Sequence, residues 1–484
     1  MRILKFMVVA IVAISAFVAC NNEDESAELT LEQTSLYFSA WGDDAKVIKY
    51  VAKNAVQVAV ANYSSGLYAE VDSATRTILV RPVGEVEEGE ELENVGSVVV
   101  NALNAENEAT SYYISVYITP TQVLDEAGRA NCYVVTTPAI SYSFDVMHRP
   151  DGESLTTSKV KLLWQSNSSI VKNVELTEGN AIFYVAASKD DPTRLEDTNA
   201  VIAACNSDDE VVWSWHIWIV NEDPLAESDT YSNGKVFMKK NLGAFCNSNG
   251  SADEQKIYDS YGMYYQWGRK DPFPRPFFFN AAGAEDEGRA DGDGTFIAES
   301  REERSAENGT IAYVTQKPMV YITNAASAEV ESDGVGDWLV AADNTLWRDA
   351  DKSVYDPCPY GWKVPSAEDL QVLMLADTED NTPLETARKQ YGWHLSDGNN
   401  KFFYSACGRR RYNDGKVENM NYKDGVYPSQ PEPWEGYYWT STTTADGKAV
   451  SLYFDLTTTR TINKFFSSHS ARRANGFQVR CVKE

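Results

Sequence analysis

Short runs of β-branched and aromatic residues, separated by polar turns, recur about every ten residues through the first half of this chain. Between residues 28 and 119, Val56, Val58 and Val60 alternate with other residues, and a run of aromatic and aliphatic side chains occupies 113–118. A two-residue period of this kind is typical of strands that bury one face. The region 28–119 is therefore predicted to be an all-β, Ig-like sandwich.

The region 126–225 is again rich in strand-like runs and is predicted to be a second β module. In the run 211–219, Trp213 and Trp215 share one face of a strand with two isoleucines, and His216 lies on the other face. A tryptophan face can stack on sugars. It more often belongs to a sandwich core, and the core is the favoured interpretation.

The region 226–484 has a different pattern, with helix starts followed by strand-like runs. Ser366 precedes Asp369 at the spacing of a capping box, and Thr382 followed by proline predicts a second helix. A Gly-, Glu- and Asp-rich stretch at about 280–310 is predicted to be an exposed insertion. A chain of 484 residues exceeds one hydrophobic core, so we expect a multidomain protein whose last domain is α+β.

The N-terminus resembles a bacterial lipoprotein signal. Two basic residues, Arg2 and Lys5, precede an apolar run at 6–18, which is shorter than the roughly 20 residues that span a bilayer. A small residue precedes Cys20, as in a lipobox. The resemblance implies that residues 1–19 are removed and that Cys20 is lipidated. An ordinary signal peptide with an incidental cysteine is the alternative.

Residues 20–27 would then form a lipidated acidic tether, similar to the surface-export signals of Bacteroidetes lipoproteins. No later segment reaches about 18 consecutive apolar residues, so the acyl chain is the predicted membrane attachment. We therefore expect the protein at the outer membrane, lipid-anchored and exposed at the cell surface.

The charge balance disfavours two classes of partner. Lys and Arg number 43 against 71 Asp and Glu, which gives a formal net charge of −28. Nucleic-acid binding depends on clustered Lys and Arg, and so does electrostatic docking onto anionic lipid headgroups. We expect no nucleic-acid partner.

Three strings in the C-terminal half carry a family resemblance: 356–366, 438–441 and 479–482. Together they resemble the Fibrobacter succinogenes major paralogous domain (FISUMP) of fimbrillin-associated Bacteroidetes lipoproteins, over roughly residues 126–484. The resemblance implies a C-type-lectin-like fold for 226–484, with a disulfide between Cys358 and Cys481. More loosely, 28–119 resembles the BACON modules of Bacteroidetes surface proteins.

The sequence contains no recognisable catalytic or metal motif. Its four histidines are far apart, no CxxC occurs, and Cys407 lacks the neighbours of a cysteine-protease nucleophile. The acidic turns at 291–294 and 333–337 could offer oxygen ligands to calcium, but they do not match an EF-hand. We expect a non-enzymatic protein without a resident cofactor, and solvated loops in preference to calcium sites.

An aromatic cluster follows a proline-rich turn and is the predicted ligand-binding site: Trp434, Tyr437, Tyr438 and Trp439. Aromatic rings suit the C–H faces of sugars or a protein partner. In a strand, Tyr437 and Trp439 would share one face, so one face of the cluster is expected to be core. Trp434 is the residue most expected to be exposed, although packing beneath the loop is equally open.

These features predict a surface-anchored, non-catalytic binding or adhesion lipoprotein whose lectin-like domain recognises glycan. The alternative is an accessory structural subunit of a fimbria-like assembly, which the fimbrillin-associated strings would suit. Its partners would be a glycan or a surface protein.

Overall fold

A computed structural model gives the fold of residues 26–38, 45–83, 96–275, 297, 300–325, 336–375, 387, 389–418, 435–456 and 465–484. The fold is mostly β, with three short helices of defined bounds among these residues and further helical residues at Ala387 and Lys389. The chain divides into two compact units, of which the first ends at Ile118 and the second runs from Thr119 to Glu484.

The first unit is a sandwich of two four-stranded sheets, ordered β1-β3-β6-β5 and β2-β8-β7-β4. Its strands are β1 (Glu28–Leu31), β2 (Ser35–Phe38), β3 (Lys46–Lys53), β4 (Gln57–Tyr63), β5 (Leu67–Asp72), β6 (Thr77–Pro82), β7 (Gly96–Leu103) and β8 (Ala109–Ile118). Apart from the split first strand, this order matches the two sheets of an immunoglobulin-like domain.

Strand alternation explains how this sandwich forms. In β3, Ile48 and Tyr50 point into the core, whereas Val47 and Val51 lie on the outer face and are exposed. The inward residues of both sheets meet in one apolar cluster, which includes Leu36, Ile78, Val98 and Ile114. Burying one face of each sheet is the favourable step that holds two such sheets together.

A second sandwich begins the second unit and repeats the same strand order, as β9-β11-β14-β13 and β10-β16-β15-β12. Its strands are β9 (Thr121–Val123), β10 (Cys132–Val135), β11 (Ile140–Asp145), β12 (Lys159–Gln165), β13 (Val171–Thr177), β14 (Asn180–Val185), β15 (Thr198–Cys205) and β16 (Val211–Ile219). Trp213 and Trp215 are buried in its core, which confirms the core interpretation of this tryptophan face.

The second sandwich and the C-terminal region form one unit, whereas the sequence suggested a separate module at 126–225 and a separate domain at 226–484. The physical reason is the outer face of sheet β10-β16-β15-β12. Its residues Trp164, Val201 and Trp218 pack into the same apolar cluster as Trp267 and Trp439 of the C-terminal region. This sheet is therefore covered on both faces.

Small sheets, of two to four strands each, build the described part of the C-terminal region. Its strands are β17 (Ser228–Thr230), β18 (Val236–Met238), β19 (Tyr265–Gln266), β20 (Ser300–Glu303), β21 (Val320–Thr323), β22 (Trp362–Lys363), β23 (Met374–Leu375), β24 (Gly392–Ser396), β25 (Lys401–Ser405), β26 (Arg409–Arg410), β27 (Val417–Glu418), β28 (Glu435–Thr443), β29 (Ala449–Asp455), β30 (Phe465–Ala471), β31 (Gly476–Phe477) and β32 (Val482–Lys483).

The helices are α1 (Glu254–Asp259), α2 (Ile311–Gln316) and α3 (Ala367–Leu370), each of six residues or fewer. The expected α+β character is therefore slight in the described residues, and a C-type-lectin-like fold remains a prediction. The capping box before α3 is confirmed: the Ser366 hydroxyl accepts from the Asp369 amide, and the Asp369 carboxylate accepts from the Ser366 amide. The start of the second predicted helix, at Thr382, lies outside the described residues, while Ala387 and Lys389 within its predicted range are helical.

Most of the predicted insertion at 280–310 also lies outside the described residues. Its last part does not form a free loop, because β20 pairs in parallel with β21. Among the described residues, the structure contains no helix long and apolar enough to cross a membrane.

Candidate functional site

The predicted aromatic site does not form an exposed surface. Trp434 lies outside the described residues, and Tyr437, Tyr438 and Trp439 are all at most 3% exposed. Tyr437 and Trp439 stack on Phe477, with ring centroids 4.6 and 4.1 Å apart. These three residues of β28 are core, and their assignment to ligand binding is corrected.

Both faces of β28 are covered, which is the physical reason for this correction. On one side the indole N–H of Trp439 donates to the Tyr265 carbonyl oxygen at 2.8 Å. On the other side the Tyr438 hydroxyl donates to the Ser405 carbonyl oxygen at 2.7 Å, within a second apolar cluster. The sequence predicted one buried face; the structure buries the other face as well.

An exposed aromatic side chain instead projects from the string at 356–366. Tyr360 is 52% exposed, between Pro359 and Gly361. Part of its ring lies against Gly128, where a methyl group would come within 2.1 Å of the ring. The ring is thus supported by backbone and open to solvent elsewhere. We call residues 356–364 the Tyr360 turn.

A buried ion pair organises the Tyr360 turn. The Lys352 ammonium donates to the Asp356 carboxylate at 2.7 Å and to the carbonyl oxygens of Cys358 and Trp362 at 2.7 and 2.8 Å. The Asp356 carboxylate in turn accepts from the backbone amides of Cys358 and Val364, both at 2.8 Å. The three ammonium hydrogens of Lys352 are thus matched by three acceptors.

Two further contacts anchor this turn. The Asn131 side-chain amide donates to the carbonyl oxygens of Val354 and Asp356, at 2.7 and 2.8 Å. Cys358 is joined to Cys481 by a disulfide, the pairing that the FISUMP resemblance implies. Cys132, Cys205, Cys246 and Cys407 are free thiols in the structure. The turn that carries Tyr360 is therefore held to the core by hydrogen bonds, an ion pair and a disulfide.

A cleft of about 520 Å³ opens beside this turn, within the size range of roughly 300–1,000 Å³ that is usual for ligand sites. It is lined by Tyr360, Tyr355 and several charged residues, among them Arg129, Asp151, Asp343 and Arg348. We call it the Tyr360 cleft. It combines flat aromatic surface with hydrogen-bonding groups, the combination that sugar rings require.

Several charged groups that line the cleft are paired with charged side chains outside its lining. Arg129 donates through Nε to Asp145 at 2.8 Å, and Arg348 donates to Asp351 at 2.6 Å. Burial alone would raise the pKa of Asp151, but hydrogen bonds from Arg149 and from the Glu153 amide outweigh it, and the pKa is lowered. Asp151 is therefore ionised at neutral pH.

A buried cluster elsewhere has the residue types of a cysteine nucleophile site. The Cys132 sulfur lies 3.5 Å from Nδ1 of His216, and Nε2 of His216 donates to the Asn199 side chain at 2.9 Å. Burial lowers the pKa of His216 to about 3 and raises the pKa of the Cys132 thiol. Both groups are thus neutral at pH 7, and all three residues are at most 1% exposed. This arrangement stabilises the core and does not generate a thiolate.

The structure describes only part of the two acidic turns that were considered as calcium sites. The turn at 291–294 lies outside the described residues, as does most of 333–337. Asp337 is described, and its carboxylate is buried beside Arg473, at 3.5 Å. Among the described residues there is no group of three or more His, Cys, Asp and Glu side chains that could hold a metal ion. Cys20 lies outside the described residues, and its lipidation stays a prediction.

No protein-family model and no curated protein matches this sequence at a significant level. Among solved structures, the human desmocollin-1 ectodomain is 8% identical, with coverage of 46% of this chain and 45% of that chain at a TM-score of 0.16. Protocadherin gamma B2 domains 3–6 are 10% identical, with coverages of 40% and 49% and a TM-score of 0.15.

A third similar structure is SGBP-B of the Bacteroides ovatus mixed-linkage glucan utilization locus, in complex with a mixed-linkage heptasaccharide. It is 10% identical, with coverage of 38% of this chain and 42% of that chain at a TM-score of 0.12. The chain spans less than half the length of these three structures, and likenesses at such TM-scores carry no argument. The FISUMP and BACON resemblances stay predictions.

Proposed function

We propose that this protein is a surface-anchored, non-catalytic lipoprotein that binds glycan in the Tyr360 cleft. The observation that carries the proposal is Tyr360 itself, a half-exposed ring on a rigid turn at the edge of a polar cleft. A ring that is already held in place loses little conformational freedom when a ligand stacks on it. Pre-organised aromatic surface of this kind favours binding.

The chemistry of the cleft agrees with binding more than with catalysis. Its carboxylate Asp151 is held by Arg149 at 2.8 Å, and the Asp343 carboxylate accepts from the Thr345 amide, also at 2.8 Å. Asp151 in particular is a poor general base, because its pKa is lowered and a base works best with a pKa near the working pH.

Location is part of the same proposal. Lipidation of Cys20 would fix the chain to the outer membrane, and residues 20–27 would tether the folded units at the cell surface. This part is supported by the N-terminal sequence and by the resemblance to lipoproteins of the Bacteroidetes.

The test is a glycan array probed with purified protein carrying Cys20→Ser, followed by titration of the best soluble oligosaccharide. Tyr360→Ala should lower affinity by about tenfold, which corresponds to about 1.4 kcal/mol. The matched control is Tyr113→Ala, since Tyr113 is 60% exposed and lies in the first unit. It should leave the affinity unchanged.

Two results would overturn the proposal. One is binding that Tyr360→Ala leaves intact, which would place the ligand elsewhere. The other is an array without any binding to host or plant glycans, which would favour a protein partner and the fimbria-like assembly. In that case concentration-dependent oligomers should appear after proteolytic trimming of the N-terminus.

A further inference from the structure

We propose that the glycan bound in the Tyr360 cleft is an uncharged one, and that the cleft discriminates against uronic-acid and sulfated glycans. This inference rests on the proposed function and names the class of its ligand. It is argued from how the charged side chains around the cleft are paired.

The cations at the cleft already have anionic partners. Arg129 is bound to Asp145, Arg348 to Asp351 and Lys352 to Asp356, at N–O distances of 2.8, 2.6 and 2.7 Å. A carboxylate on a sugar would have to compete with these internal carboxylates. A ligand anion would gain little from an arginine whose charge is already balanced.

The Lys352 ammonium group is even less accessible to a ligand anion than the arginine side chains are. Its ammonium donates to one carboxylate and two backbone carbonyl oxygens, and its side chain is only 12% exposed. Moving it toward a ligand would break the contacts that hold the Tyr360 turn. Lys352 is therefore a structural cation, and among the described residues that line the cleft there is no other lysine to offer a free ammonium group to an acidic glycan.

Hydrogen-bond donors nevertheless remain at the cleft. Among the described residues, Arg129 donates to protein only through Nε, so its terminal amino groups can bind a ligand. Sugar hydroxyl groups are good acceptors and carry no charge that must be neutralised. Neutral sugars thus match both the spare donors and the balanced charge.

The negative charge of the cleft and of the whole chain also disfavours anionic glycans. Asp151, Asp343 and Glu484 also line the cleft, and the chain has a formal net charge of −28. A polyanionic glycan would approach against this field, most strongly at low salt. A neutral glycan would bind with little dependence on salt.

The first arm of the test measures wild-type protein, carrying Cys20→Ser, against matched oligosaccharides. The neutral probes are the hexaoses of cellulose, laminarin, xylan and mannan; the anionic probes are oligogalacturonate and a heparin fragment. We expect Tyr360-dependent affinity for at least one neutral probe, with little change between low and high salt, and at least tenfold weaker binding of both anionic probes.

The second arm removes one internal counter-charge. Asp351→Asn leaves Arg348 without its carboxylate, so affinity for oligogalacturonate should rise by about fivefold, as expected for one unbalanced charge near the surface. Affinity for the neutral probe should stay the same. The matched control is Asp414→Asn, because Asp414 pairs with Arg411 at the same i,i+3 spacing and does not line the cleft.

The outcomes separate this inference from the proposed function. Tyr360-dependent binding of oligogalacturonate or heparin in preference to neutral probes would overturn the inference and leave the proposed function standing. An unchanged oligogalacturonate affinity in Asp351→Asn would show that internal pairing does not set the selectivity, which also overturns it. If no probe depends on Tyr360, the proposed function fails, and this inference fails with it.

Discussion

Strand β28 and the Tyr360 turn both contain aromatic residues beside glycine, yet one is core and the other is surface. In β28, Tyr437 and Trp439 face one apolar cluster while Tyr438 faces another. In the turn, Tyr360 is supported by Gly128 and remains half exposed. The difference teaches that an aromatic-rich strand is a poor indicator of a binding face when elements cover both sides of its sheet.

The largest effect should come from Trp439→Ala. Its ring is fully buried, stacks on Phe477 and donates to the Tyr265 carbonyl oxygen, so its removal leaves a cavity and an unsatisfied acceptor. We expect a loss of about 3–5 kcal/mol in the free energy of unfolding, measured by urea denaturation.

Tyr360→Ala is the counterpart in the other region. Its unfolding free energy should stay within about 0.5 kcal/mol of wild type, because the side chain is half exposed. If Tyr360→Ala and Trp439→Ala lost the same free energy of unfolding, Tyr360 would be a core residue and the contrast between the two regions would fail.

Gly128→Ala is expected to have a smaller effect on stability than Trp439→Ala. The new methyl group would come within 2.1 Å of the Tyr360 ring, and φ at this position is +151°. The ring must move, so glycan affinity should fall, while the free energy of unfolding drops by about 1–3 kcal/mol. Titration of the glycan and urea denaturation measure the two changes.

Gly234→Ala is the matched control for this substitution. Gly234 also has a positive φ, of +80°, but nothing lies within 4 Å of the methyl group that alanine would add. Stability should fall by about 1–2 kcal/mol and glycan affinity should not change. If Gly128→Ala likewise spared the affinity, Gly128 would have no part in positioning Tyr360.

Local sequence patterns correctly predicted those features of the fold that depend on residues close together in the chain. The alternation in β16 placed Trp213 and Trp215 in a core, and the spacing of Ser366 and Asp369 gave the capping box. The Cys358–Cys481 bridge was implied by family resemblance and not by the spacing of the cysteines.

Long-range contacts decided the rest of the fold and the site. The second face of β28 is covered by residues such as Tyr404, and the Tyr360 cleft unites Arg129 with Asp343 and Tyr360 from distant parts of the chain. The periodicity of a sequence does not predict contacts between residues that are far apart in the chain. The one available signal for the site was a tyrosine between proline and glycine, a turn position that exposes its side chain.

The smallest effect concerns pH and again contrasts the two regions. Burial raises the pKa of Glu435 on β28 above its usual 4.5, although hydrogen bonds from Tyr453 and Tyr437 oppose the shift. A raised folded pKa means that the folded state holds its proton more tightly than the unfolded state. The stability from this group is thus fully present below pH 4.5 and is lost as pH rises through the folded pKa.

Glu435→Gln removes that titration, so its unfolding free energy relative to wild type should rise between pH 4 and pH 7 in urea denaturation. Asp151 at the cleft has a lowered pKa, so its contribution is present above the usual 3.8 and is lost as pH falls. Asp151→Asn should therefore show the opposite trend below pH 4. If the two variants showed pH trends of the same sign, Glu435 would not be desolvated. Strand β28 would then be more exposed to water than its place in the core implies.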